Sequence, residues 1–108
     1  MKFDLQNIMQ QAQKMQSEME NVKKELSYKQ VTAESGGGMV SVTMTGTHQL
    51  TSVRIAPELL AANDIGMLQD LIVAAVNKAT EAAGELAHQE MNRVSGMLPN
   101  IPGLNLGI

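Results

Sequence analysis

The stretch that decides the fold is DLQNIMQQAQKMQSEMENVKKELSY, residues 4–28. Within it Leu5, Ile8, Ala12, Met15, Met19, Val22 and Leu26 recur at alternating spacings of three and four. That rhythm is the a/d seam of a heptad helix. Asp4 stands where an N-cap is wanted, because its carboxylate can accept an orphan backbone N–H of the first turn. A helix from Asp4 to Tyr28 would be about 37 Å long. So narrow an apolar stripe cannot be covered along that whole length by one short chain, and a second copy is the expected cover. Met9 widens the stripe near its start, so that end is expected on the chain's own core. Met15, Met19, Val22 and Leu26 then form the seam offered to the partner copy.

Working outward, the period changes after Lys29. Gln30 to Glu34 is short and β-leaning, and Ser35-Gly36-Gly37-Gly38 reads as a flexible turn. Met39 to Thr45 alternates, with Val40, Val42 and Met44 on one face and Ser41, Thr43 and Thr45 on the other, as a half-buried strand requires. Gln49 to Ala56 is the third strand, with Thr51, Val53 and Ile55 on one face. Leu50 has the wrong parity for that face. Pro57 opens a short helical turn to Ala62, and Asn63 or Asp64 caps a second long helix. Its stripe is Leu68, Leu71, Ile72, Ala75, Val76, Ala79, Ala82, Ala83 and Leu86, fading after Ala87. The fold class is therefore α+β: long helix, three-stranded antiparallel meander, long helix. Residues 1–95 form one dimerising domain, and the Gly- and Pro-containing segment 96–108 is expected to be a flexible tail.

Composition narrows the function. The chain has 108 residues, no Cys, nine Met, and Phe3 and Tyr28 as its only aromatic residues. A core without large rings gains modest burial, which again favours association. The opening residues Met1 to Gln11 lack the apolar region of a signal peptide, and no apolar run reaches membrane-spanning length. No membrane partner is expected. Net charge is −3, yet five of the eight basic residues, Lys2, Lys14, Lys23, Lys24 and Lys29, lie in the first 29. Acidic residues gather later, at Asp70, Glu81, Glu85 and Glu90.

No constellation suits catalysis. His48 and His88 stand at no metal-ligand spacing and read as solvated surface histidines. No serine lies in a nucleophile elbow. The glycine run lacks the Lys-Ser/Thr of a phosphate loop and leads into a strand. No metal, no cofactor and no enzyme activity are expected. The lysines carry the sharper reading. With Leu5 at position a, Lys23 falls at e and Lys24 at f, beside Lys29. Two copies bring six lysines to one end of a dimer, where they can neutralise phosphates without reading sequence. The competing account is a solvated face, with Glu18 and Lys23 pairing across a coiled coil. Without an aromatic platform, duplex suits the chain better than single strands.

Four ordered stretches carry a resemblance. They are Asn7-Ile8-Met9-Gln10-Gln11-Ala12-Gln13-Lys14-Met15-Gln16, Gly37-Gly38-Met39-Val40-Ser41-Val42-Thr43-Met44-Thr45-Gly46, Val53-Arg54-Ile55-Ala56-Pro57-Glu58-Leu59-Leu60 and Asp70-Leu71-Ile72-Val73-Ala74-Ala75-Val76-Asn77-Lys78-Ala79. Through them the chain resembles the YbaB/EbfC family of bacterial nucleoid-associated proteins over about residues 4 to 95. The resemblance implies an intertwined, tweezer-like homodimer with the long helices as arms. It also implies binding of double-stranded DNA with relaxed sequence preference, no cofactor, and a cytoplasmic, nucleoid location. Where such sequences carry lysine on the glycine-rich strand and after the hairpin glycine, this chain has Ser41 and Thr47, which implies weaker binding. Gly66 also departs from the expected helix start.

The resulting expectation is phosphate contact by Lys23, Lys24 and Lys29, with Lys14, Arg54, Lys78 and Arg93 as helpers. A dimeric protein-interaction adaptor is the alternative. It is motivated by the net acidity and by Met97, Leu98, Ile101, Leu104, Leu106 and Ile108, through which the tail could hold a protein partner.

Overall fold

Asp4 caps the first helix as its position predicts, its carboxylate accepting the backbone N–H of Asn7 at 3.3 Å. The computed structural model describes residues 4–95. Lys2 and the tail at 96–108, with the partner reading that rests on it, lie outside the described residues. The order is α1 (Leu5–Tyr28), β1 (Gln30–Ser35), β2 (Val40–Thr45), β3 (Leu50–Ile55), α2 (Pro57–Ala61) and α3 (Ile65–Ser95). The fold class is the expected one.

The sheet is an antiparallel meander in the order β1-β2-β3. Its glycine turn is a single 3-10 turn in which Gly36, Gly37 and Gly38 all have positive φ (61°, 67° and 94°). The stretch expected to be merely flexible is thus a defined turn that needs glycine. At Gly36 a Cβ would also stand 3.0 Å from Leu71 Cδ2.

Between β2 and β3 the register shifts: Thr43 opposes Ser52, but Met44 opposes Leu50. Thr51 is the extra residue of a bulge, and a one-residue insertion inverts side-chain parity. This corrects the expected third-strand face. Leu50, not Thr51, joins Val53 and Ile55 on the side of Val40, Val42 and Met44.

That inner face is only partly covered. α3 lies across β1 and β2, and Val40, Val42, Met44 and Leu59 close the core with Ala75, Ala79 and Ala83. The alanine stripe lets the helix axis approach the strands closely. Ser35 Oγ pins it by donating to Leu71 O at 2.6 Å. Among the described residues β3 has no such cover: Leu50 and Val53 are each 42% exposed. Leu60 of α2 and Ile65, Met67 and Val73 of α3 are exposed as well.

Asp64 proves to be the cap of α3, accepting from Met67 N at 3.0 Å. Asn63 instead ends the preceding turn in a left-handed conformation, φ 54°. The apolar stripe of α3 continues past Ala87. Leu86, Ala87, Met91 and Val94 pack with Met19, Val22 and Leu26 of α1.

This packing reverses the expectation for α1. The C-terminal half lies on the chain's own α3, with Val22 and Leu26 buried. The N-terminal half is bare at Leu5, Ile8 and Met9. Val22 and Leu26 therefore need no partner copy to leave water. The physical reason is the length of α3, which runs 31 residues and supplies its own matching seam. Burying two such side chains contributes about 1.5–3 kcal/mol each. The contact point at this docked end is Gly46, whose N–H donates to Leu26 O (2.9 Å) and Lys29 O (3.0 Å). A Cβ there would sit 2.7 Å from Leu26 Cδ2.

Candidate nucleic-acid interface

The cations expected to act together fall into three groups. Lys14, Lys23 and Lys24 all lie exposed on α1 and make no ion pair among the described residues. The 3.6-residue period sets Lys24 opposite the buried seam and Lys23 on its flank. Lys23 and Lys24 are neighbouring open charges, and Lys14 stands apart from them, about 13 Å up the helix and on the side opposite Lys23.

Lys29 and Arg93 form the second group, and both are engaged. Lys29 Nζ donates to Glu90 Oε1. Arg93 Nη2 donates to Glu25 Oε2 at 2.8 Å and lies 3.0 Å from Glu90 Oε2. The network ties the end of α1 to the end of α3. Glu90 is its shielded centre, with a side chain 12% exposed, whereas Lys29 and Arg93 remain 44% and 56% exposed. Its Oε2 is closed off from water and makes no hydrogen bond. The Lys29 hydrogen bond, aided by the charges of Arg93 and Lys29, holds the Glu90 carboxyl below the ordinary carboxylate value, despite its desolvation. The hydrogen bond to Glu25, with the charges of Glu25 and Glu90, raises the Arg93 guanidinium above its ordinary value. Expecting Lys29 to stand beside Lys23 and Lys24 as an open charge thus missed Glu90, 61 residues away.

Arg54 and Lys78 stand apart from both groups. Arg54 is on the outer sheet face, opposite Ser41. That face carries the hydroxyls of Thr32, Ser41, Thr43 and Ser52, and on the β1 side of Ser41 the exposed carboxylate of Glu34, which offsets the charge of Arg54. Lys78 Nζ reaches back to Glu34 O at 3.3 Å and anchors α3 to β1.

A shallow open trough of about 550 Å³ runs along α3, lined by Glu81, Gly84, Glu85, His88 and Gln89. Its lining holds no nucleophile and comes from one helix face. Among the described residues no group of His, Asp and Glu is placed to hold a metal ion. No helix among them is long and apolar enough to cross a membrane.

Comparison with known proteins agrees with this architecture. Residues 1–98 match the model of the YbaB/EbfC DNA-binding family. The chain is similar to a nucleoid-associated protein of Acetivibrio thermocellus, at 46% identity over 94% of this chain and 89% of the relative. It is similar to another of Clostridium acetobutylicum, at 45% identity over the same shares. Among solved structures, an uncharacterized protein from Helicobacter pylori superposes with a TM-score of 0.74 at 26% identity. That match covers 91% of this chain and all of the other. By a family model spanning nearly all its length, and by relatives at this identity, the chain belongs to the YbaB/EbfC DNA-binding family.

Proposed function

We propose that this protein is a non-catalytic homodimer that binds double-stranded DNA with little sequence preference and organises the nucleoid in the cytoplasm. The observation that carries the reading is that Lys23 and Lys24, side by side on α1, stand exposed and outside the ion pairs of the described residues, with Lys14 exposed farther along the same helix, in a chain of a DNA-binding family. Lysines on one rod meet phosphates as point charges, and such contacts position a protein without reading bases. The relatives' description as nucleoid-associated proteins supports the same location and role. Residues 1–95 serve as the dimerising unit, with 96–108 as a tail.

Dimerisation is inferred from apolar surface left uncovered within one chain. Met15 and Met19 are half-buried, and Val22 and Leu26 are fully buried within one chain. Besides Leu5, Ile8, Met9 and Tyr28 of α1, the apolar side chains open to water among the described residues include Leu50 and Val53 on β3, Leu60 on α2, and Ile65, Met67 and Val73 on α3, and these last six are assigned to the partner copy. A second copy covering these side chains completes the sheet's inner face. Sedimentation should give a dimer at micromolar concentration, and Val53→Asp should shift it to monomer.

DNA binding is tested by titrating random duplex at two salt concentrations. Affinity should fall steeply with salt. Replacing Lys23 and Lys24 by Ala should weaken binding and flatten the salt slope by about 0.9 for each phosphate no longer neutralised. A variant that binds duplex like the parent would overturn the assignment of those two lysines.

A further inference from the structure

We propose that Glu90 occupies the place of a DNA phosphate, holding Lys29 and Arg93 in reserve and so setting the protein's affinity for duplex. This rests on the DNA-binding function proposed for the chain and goes beyond it by naming the residue that limits that binding.

The geometry is that of an occupied anion site. Two cations from different elements, the end of α1 and the end of α3, converge on one carboxylate. Both keep about half of their side-chain surface in water, so a second anion can reach them without unfolding anything. The carboxylate is the shielded member, and it fills the site imperfectly. Oε1 has its hydrogen-bond partner in Lys29, whereas Oε2, cut off from water, has the charge of Arg93 at 3.0 Å but no hydrogen bond. Glu25 takes the Arg93 donor from the other side. A tetrahedral phosphate offers more acceptor oxygens than a carboxylate and suits an Arg–Lys pair better. Partly exposed ion pairs are also weak competitors in water, whereas duplex presents dense charge and releases counterions when it binds. The cations are therefore held in place by their carboxylates: Glu90 and Glu25 lower the number of phosphates that the protein neutralises at rest.

The test compares full-length wild type, Glu90→Gln, Glu25→Gln and a control, Glu81→Gln, on random duplex across a salt series. Glu90→Gln keeps the shape and one acceptor oxygen while removing the charge. It should bind about tenfold more tightly, with a salt slope steeper by about 2, as two more phosphates are engaged. Glu25→Gln should show a smaller gain in the same direction. Glu81 lies nine residues away on the same helix, about 13 Å, beyond the screening length at physiological salt. Its variant should leave both affinity and slope near wild type. Adding Lys29→Ala should cost wild type little but remove about half of the gain in Glu90→Gln, leaving the share of Arg93, a coupling that a purely structural ion pair would not produce. Thermal melts on each variant show that the fold is kept. Should Glu90→Gln loosen α1, Glu25→Gln decides the question from the more exposed carboxylate. Gains no larger than that of Glu81→Gln, or an unchanged slope, overturn the inference while wild-type binding leaves the DNA reading standing. Failure of every protein to bind duplex at low salt overturns both.

Discussion

The two halves of α1 share one heptad pattern and meet opposite fates. From Met19 to Leu26 the seam is packed on α3, and its side chains belong to the core. From Leu5 to Met9 the same seam faces water, with Leu5 68% exposed. A repeat in the sequence thus specifies that a stripe wants cover, but not who supplies it. The supplier is settled by another element's length and by one contact point. α3 reaches far enough to cover only the C-terminal half, and Gly46 fixes where that half sits.

The largest test of this contrast is Leu26→Ala. It removes a buried side chain from a small cluster and should cost about 2–5 kcal/mol in a denaturant melt. A loss below about 1 kcal/mol would mean that the docked half is not docked in solution. Next comes Gly46→Ala. The new methyl would press on Leu26 Cδ2 and lie 2.9 Å from Leu26 O, a backbone atom that cannot step aside. A cost of about 1–3 kcal/mol is expected from such overpacking. The change should also raise hydrogen exchange in the last turns of α1 before it does so in β2.

Much of this architecture was legible in the sequence because it is local. Heptad spacing marked α1, alternation marked β2, and the alanine stripe marked α3 down to the residues that touch the sheet. What escaped depends on contacts between distant parts of the chain. The parity of Leu50 could not be resolved, since a bulge is defined only by the partner strand. The covered half of α1 could not be chosen without the reach of α3. The fate of Lys29 was hidden for the same reason. Glu90 with Arg93 is an i,i+3 pair that sequence can show, but its meeting with Lys29 and Glu25 is tertiary.

That meeting makes the docked end acid-sensitive. Glu90 has a lower pKa in the folded chain than its ordinary value of 4.5. Its contribution to stability is therefore present above the ordinary value and lost as pH falls through the lowered one. Lowering the pH into that window should loosen the α1–α3 contact, seen as faster hydrogen exchange around Val22 and Leu26. Glu90→Gln should remove that part of the response. An equal acid response in parent and variant would assign the sensitivity to other carboxylates.

The smallest effect is expected at the bare end, from Ile8→Ala. Ile8 is 47% exposed and has no apolar cluster around it among the described residues. Alanine also has the better helix propensity. Under dilute conditions the change should therefore move stability by no more than about 0.5 kcal/mol in either direction. Concentration turns this near-silence into a measurement. If a second copy covers Leu5, Ile8 and Met9 as well as β3, the cost of Ile8→Ala must grow as protein concentration rises, because it then falls on association. If the cost stays flat while Val53→Asp abolishes the dimer, the partner sits on the sheet side alone. Leu5, Ile8 and Met9 would then stay open to water in the dimer as they are in the single chain.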